Sequence, residues 1–391
     1  METTYDRAVA RAASPWAAII CMTLMTFTLV ASEFLPVSLL TPIAEELGIT
    51  AGQAGQAISV SGFFAVVTSL FSNTVLWRLD RRTVVLSYTI VMVLSGLAIT
   101  FAPNYLVFML GRALIGIAIG GFWSLSTSIV ARNAAEQDVP KALAMLQGGT
   151  ALATVIAQPL GSFLGGLIGW RGAFFIVVPV GIIAFFWQIL ALPRMPGGSK
   201  NAGSGPLGLL RNRVFAISMA AMSFFFMGQF ALSTYLRPVL GEVTRLDVNE
   251  LSVVLLGIGL FGLLGTSLIG FLLRAHLDAV LAGFPAALTA IALLLIPFAP
   301  SGIAVAALLC LFGFFATPIP VAWNTWMTRA IPDKLEAGGG LLVALIQAAI
   351  TAGAFTGGML FDGVGWWSPF AYSGVLFLAA AIIPFTARRT E

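Results

Sequence analysis

Histidine occurs once, at His276, and cysteine twice, at Cys21 and Cys310. One imidazole cannot build a histidine metal site. Two cysteines inside separate apolar runs read as small packing residues, not as a disulfide or a metal pair. On these grounds neither a metal nor a cofactor is expected. Charge is scarcer still: 9% of the 391 residues are charged and 59% are hydrophobic, whereas a soluble domain carries roughly 25% charged residues. That excludes an ordinary soluble fold and leaves the polytopic helical membrane class. No GxxxxGK[ST] motif occurs, so direct drive by ATP is not expected. The GxGxxG of Gly257-Ile258-Gly259-Leu260-Phe261-Gly262 lies inside an apolar run with no preceding strand, which excludes a dinucleotide fingerprint. The net charge of +4 has a topological explanation, given below, and no basic, aromatic-interleaved soluble segment offers a grip for nucleic acid. An embedded enzyme would need a catalytic cluster, and a sensor a soluble output domain longer than any loop or tail here.

What the sequence does have is apolar runs. A span needs about 20 mainly apolar residues, and cutting at charge, Pro and Gly clusters gives twelve: 16–41, 52–77, 83–101, 104–131, 141–168, 171–192, 213–239, 249–273, 277–298, 301–329, 336–362 and 368–387. The first is too long for a signal-peptide core and is expected to be retained. Residues 193–212, rich in Pro, Gly and Ser, read as a linker between an N-terminal half (1–192) and a C-terminal half (213–391). With both termini in the cytoplasm, sixteen of the twenty Lys and Arg fall on the inside, three (Arg171, Arg237, Arg245) outside, and Arg112 within a span. The positive-inside rule therefore orients the chain.

The halves echo each other. Glu33-Phe34 and Pro42 match Gln229-Phe230 and Pro238 at an offset of 196, as Gly161 and Gly169-Trp170 match Gly357 and Gly365-Trp366; Gly116 and Arg132 match Gly313 and Arg329 at 197. Six spans and a linker preserve orientation, so these are parallel repeats about an axis along the membrane normal, with a site expected between them near the midplane.

Glu33 is the one carboxylate deep inside an apolar run. Ionised groups in hydrocarbon cost several kcal/mol, which makes such a residue a functional candidate. At about 1.5 Å per residue, Glu33 and Arg112 each lie roughly 12 Å from the outer edge of their runs. They are expected to face one another or share water, as a proton-coupling pair. A neighbouring cation favours the ionised carboxylate and burial opposes it, so a group held between the two can exchange a proton. The alternative for Arg112 is purely structural, pinning helices through backbone carbonyls. Candidate substrate contacts are Phe34, Trp123, Gln147, Phe226, Gln229, Phe230, Trp323, Asn324 and Gln347: aromatic faces stack a planar ring, and amides both donate and accept. The bland reading of each aromatic is a lipid-facing belt. Arg78, Asp80, Arg81 and Arg82 form a loop cluster that reads either as a gate latch or as plain topology.

These features resemble the major facilitator superfamily over essentially the whole chain, and its drug:proton antiporter branch in particular. Arg112-Ala113-Leu114-Ile115-Gly116 looks like that branch's RxxxG motif. Gln158-Pro159-Leu160-Gly161-Ser162 looks like its Pro-Gly antiporter motif, with Gln158 in place of Gly, and Gly169-Trp170-Arg171 followed by Phe174 fits its sixth-helix entry. Arg78-Leu79-Asp80-Arg81-Arg82 departs from the DRxGRR loop motif, with Trp77 at the acidic position and Asp80 at the glycine. The stretches 33–42, 120–123, 139–143 and 159–164 are similar to the bacterial purine ribonucleoside efflux pumps. The resemblance implies an all-α fold of twelve transmembrane helices in two pseudo-symmetric bundles. It also implies export of inosine- or guanosine-type nucleosides across a bacterial inner membrane in exchange for protons by alternating access; a monomer is expected. Multidrug and sugar efflux antiporters share this framework and stay open as alternatives.

Overall fold

The computed structural model describes residues 15–76, 78–135, 138–196, 206–330 and 335–388. Part of the expected linker (197–205), Trp77 of the loop motif and the basic residues Arg7, Arg11, Lys200, Lys334 and Arg389 lie outside the described residues. Among the described residues the chain makes twelve helical passages. The first five are α1 (Pro15–Leu47), α2 (Ala51–Val75), α3 (Arg81–Thr100), α4 (Tyr105–Asn133) and α5 (Val139–Phe175). They are followed by α6 (Val177–Ala191), α7 (Arg213–Thr234), α8 (Val248–Leu273) and α9 (His276–Phe298). The last three are α10 (Gly302–Ala316, resumed at Ile319–Ala330), α11 (Leu335–Gly363) and α12 (Ser368–Arg388). Most are long and apolar enough to cross a membrane.

Hydrocarbon offers no hydrogen-bond partners, so each span satisfies its own backbone, and caps or glycines mark several of the turns. Thr50 caps α2 and Asp247 caps α8, each in a reciprocal capping box, while Asp80 and Asn104 cap α3 and α4. Gly169, with φ 74 and ψ 164, breaks the end of α5 so that the chain turns back into α6. Its repeat mate Gly365 also has positive φ, 131. Only glycine adopts such backbone without strain, which accounts for the two Gly-Trp pairs.

Buried apolar side chains divide into two clusters, one drawn from Ala18–Met195 and one mainly from Phe215–Ala380. The repeat holds at the level of contacts. A Cβ on Gly116 would run into the Ser61 carbonyl, and a Cβ on Gly313 into the Ile258 carbonyl; both partners are shifted by 197. Gly161 abuts Leu35 and Gly357 abuts Ala231, both shifted by 196. Small residues let the helix backbones meet here.

The halves meet along α2 with α11 and α5 with α8. Again the contacts come in pairs: Gly62 against Thr351 on one side, Gly259 against Val155 on the other. Phe34 and Phe230, mates at the 196 offset, stack on each other with centroids 5.9 Å apart and planes at 23°. The pseudo-two-fold axis therefore runs between these two rings. On α5, Ser162 and Val155 touch the other half. Gly148 follows at the same spacing of seven, exposed, and a Cβ there would meet nothing within 4 Å. On this face the halves are joined towards the Thr50 end of the bundle and part towards the Asp80 end.

Candidate functional site

Pro36 and Pro42 shape the site. A proline has no N–H, so the carbonyl four residues earlier in its helix is left without a partner. In α1 those carbonyls belong to Ser32 and Ser38, and each is taken by an arginine. Arg112, fully buried on α4, donates through Nη1 to the Ser32 carbonyl (3.0 Å) and through Nη2 to the Glu33 carbonyl (3.3 Å). It also donates through Nε to the Ala57 carbonyl (3.1 Å) and through Nη2 to Ser61 Oγ (2.9 Å) on α2. Its fork thus ties α1, α2 and α4 of one half. Arg237, just past α7, donates to the Ser38 carbonyl and to Ser162 Oγ (3.2 Å), both in the opposite half.

The Glu33 side chain is 7% exposed. Among the described residues its carboxylate takes no hydrogen bond from Arg112; its partner is Gln347 of α11, whose Nε2 lies 3.5 Å from Oε1. The expected pair is therefore joined through backbone: Arg112 holds the Glu33 carbonyl, while the carboxylate reaches across to the other half. Glu33, Phe34, Phe230 and Gln347 come together around the pseudo-axis, with Arg112 behind them.

The other candidates lie apart. Phe226 packs on Phe225 in the C-terminal core, and Trp323 is buried against Trp326. Asn324 is exposed and donates to the Pro320 carbonyl of its own helix. Trp123 lies partly buried on Phe122, and Gln147 is exposed beside Gly148. Gln229 is partly buried, and its Oε1 is covered with no hydrogen-bond partner among the described residues.

Of the loop cluster, Asp80 caps α3 through Arg82 N (2.8 Å) and accepts from Met195 N (2.9 Å). Arg81 N donates to the Met195 carbonyl (2.8 Å) and Arg82 to the Ile189 carbonyl. These bonds fasten the α2–α3 loop to the end of α6 within the same half. Arg78 is exposed.

Three contributors escaped sequence reasoning. Arg237 reads as one more loop cation, although Pro42 four residues after Ser38 signals a bare carbonyl in need of a donor. Asp362 reads as a run's edge, yet its carboxylate accepts from Thr50 Oγ1 (2.5 Å) and Gly52 N (3.0 Å), at the N-terminus of α2 in the other half. A helix N-terminus favours an anion. Tyr235, fully buried, donates to the Ala354 carbonyl (2.7 Å), and a Cβ on Gly55 of the other half would strike its ring.

Fold and site define a class: a multi-pass membrane protein of two related six-helix halves that meet on a central acid–amide pair. The chain belongs to the Major Facilitator Superfamily, whose family model matches residues 22–342. Over 380 residues (96% of this chain and 94% of the relative) it is 47% identical to the Transcription regulatory protein OpdE of Pseudomonas aeruginosa. Over 368 residues (94% and 93%) it is 39% identical to the Purine ribonucleoside efflux pump NepI of Salmonella typhimurium. Among solved structures it is similar to a bacterial homolog of the human lysosomal transporter Spinster, with TM-score 0.72, 17% identity, and coverage of 96% of this chain and 97% of that one. It is also similar to the human organic anion transporter MFSD10, with TM-score 0.67, 19% identity and coverage of 94% and 98%. At those identities the structural likeness concerns the fold.

Proposed function

We propose that this chain is a proton-coupled secondary transporter, not an enzyme, that exports purine ribonucleosides of the inosine or guanosine type by alternating access. One observation carries the reading: Glu33, the only buried carboxylate among the described residues, is bonded across the interface to Gln347 rather than within its own half. Ionised, it accepts from the Gln347 amide and helps hold the halves together beside the axis. Protonated, it becomes a donor on one oxygen and that tie is reorganised. A proton moving on and off Glu33 is thereby linked to the relation between halves, the property an antiporter requires.

The rocking units are 1–192 and 213–391, with 193–212 between them. The Thr50 end faces out and the Asp80 end faces the cytoplasm, by the distribution of Lys and Arg; both termini are then cytoplasmic and the membrane is the bacterial inner membrane. The chain works as a monomer, with protons and a small molecule as its partners and no cofactor. The recorded conformation is closed outside by Arg237, Asp362 and Tyr235. Arg112 holds Glu33 in place. Phe34, Phe230 and Gln347 line the site at the axis, and Gln229, next to Phe230 in the chain, is its fourth member; Phe226 and Trp323 are core packing, while Trp123, Gln147 and Asn324 are assigned to the substrate's path towards the Asp80 end. Arg78, Asp80, Arg81 and Arg82 are assigned to the cytoplasmic gate, with Asp80, Arg81 and Arg82 fastening the α2–α3 loop to the end of α6.

The nucleoside assignment draws on the Salmonella relative. Multidrug or sugar efflux on the same framework is the runner-up. The regulatory name of the Pseudomonas relative fits a transporter that alters the internal level of an inducer. The test is Glu33→Gln in proteoliposomes. Inosine transport driven by an imposed pH gradient is expected to fall to background while inosine–inosine exchange persists. Unchanged gradient-driven transport removes Glu33 from the coupling role.

A further inference from the structure

The two flanks of the Phe34–Phe230 stack are equivalent by symmetry and unequal in chemistry. Because the rings are repeat mates in contact, and Gly62–Thr351 is repeated as Gly259–Val155, positions on one flank have counterparts on the other. The counterpart of Glu33–Gln347 is Gln229–Ala151, at the same offset of 196. On the first flank an acid meets an amide and the space is closed. On the second the repeat sets an amide opposite a methyl group. Ala151 is exposed there, and Gly148, one turn away, has open space around it.

Gln229 is accordingly left without a partner. Its Oε1 is covered and unbonded, and among the described residues its Nε2 has no recorded hydrogen bond. A change of rotamer that brings the amide out of this covered position presents its donor and its acceptor side by side.

We infer that the α5–α7 flank is the ligand subsite, with Gln229 reading a cis-amide or lactam edge through paired hydrogen bonds while the ligand's ring occupies the space over Gly148 and Ala151, and that the Glu33–Gln347 flank is reserved for the proton. The subsite rests on the transport reading and adds to it a chemical class: a flat molecule with an N–H donor next to a carbonyl. An oxopurine base has that edge. A base methylated at the donor nitrogen does not, and the Gln229 carbonyl would then be left unpaired against a methyl group.

The test uses the full-length protein in detergent and measures binding of inosine and of 1-methylinosine. Wild type is expected to bind inosine at least about tenfold more tightly than 1-methylinosine, the difference corresponding to one well-made hydrogen bond. Gln229→Leu is expected to remove that preference. Ala151→Leu, which fills the gap, is expected to weaken inosine by a similar factor. Ala151→Cys gives a second reading that survives a folding defect in the leucine variant: bound inosine should slow its maleimide labelling, measured above the background from Cys310. Wild type binding inosine, with both leucine variants within twofold of it and no protection of Ala151→Cys, overturns the subsite and leaves the transport reading standing. No saturable binding of inosine by wild type refutes the nucleoside assignment together with the ligand class.

Discussion

Arg237 is the residue whose removal tests the closed Thr50 end most directly. In the recorded state it donates across the interface to the Ser38 carbonyl and to Ser162 Oγ. Pro42 denies that carbonyl its helical partner, so Arg237→Ala breaks a charge-assisted bond and orphans a buried acceptor. Hydrogen bonds between spans contribute about 0.5–2 kcal/mol, and a buried carbonyl left unpaired costs about 1–3 kcal/mol. A combined loss of roughly 2 kcal/mol in the closed state shifts a two-state equilibrium by about 30-fold, enough to raise an open fraction of about 1% to roughly a quarter. Spin labels on Pro103 and Val364, exposed at the Thr50 end in opposite halves, in a background lacking Cys21 and Cys310, would report the change as a second, longer distance by pulsed electron resonance. The mechanism also fixes a cross-term. Pro42→Ala restores an N–H that α1 can give to the Ser38 carbonyl, so Arg237→Ala should cost less in that background than alone. An unchanged distance distribution in Arg237→Ala, or simple additivity with Pro42→Ala, would refute the claim that the arginine answers a carbonyl freed by proline.

Two further outcomes follow from the packing. Arg112→Ala should lower thermal stability, because it strips four hydrogen bonds that join α1, α2 and α4; it should leave the Pro103–Val364 distance within the closed range, since none of those bonds crosses the halves. Gly116→Val should push α4 off the Ser61 carbonyl at a cost of about 1–3 kcal/mol, and Gly313→Val should do the same against Ile258. Melting temperatures equal to wild type in either valine variant would contradict the close approach.

The spans were legible because hydrocarbon admits few backbones: long apolar runs broken by Pro, Gly and charge permit little else. Glu33 was legible for the same reason, as the one acid where acids are costly. The repeat was legible through glycines whose contacts, now visible, explain their spacing: Gly116 and Gly313 sit on carbonyls that are themselves repeat mates. Facing directions were not legible. An apolar helix buried on several sides has no polar stripe to show which way Trp323 or Asn324 turns, and the structure sets Trp323 in the core and Asn324 on its own helix. The partner of the Glu33 carboxylate escaped because Gln347 lies more than 300 residues away in another half, where offsets relate equivalent positions but not touching ones.

The two prolines of α1 assign different duties to two arginines, and helical geometry explains why. Ser32 and Ser38 are six residues apart, which turns an α-helix by about 600°, some 120° short of two full turns, and raises it about 9 Å. The two bare carbonyls therefore look out on different sides of α1. One side faces α2 and α4 of the same half, where Arg112 fastens it; the other faces the partner half, where Arg237 reaches it. Glu33 lies next to the first and is held by the same guanidinium through its own carbonyl. A rocking motion of one half against the other leaves the Ser32 bond intact and must break the Ser38 bond. The carboxylate thus stays fixed on the half that carries it while its amide partner, Gln347, moves with the other. Under the proposed coupling, that division would let a single proton on Glu33 act on the interface without loosening the half in which Glu33 is built.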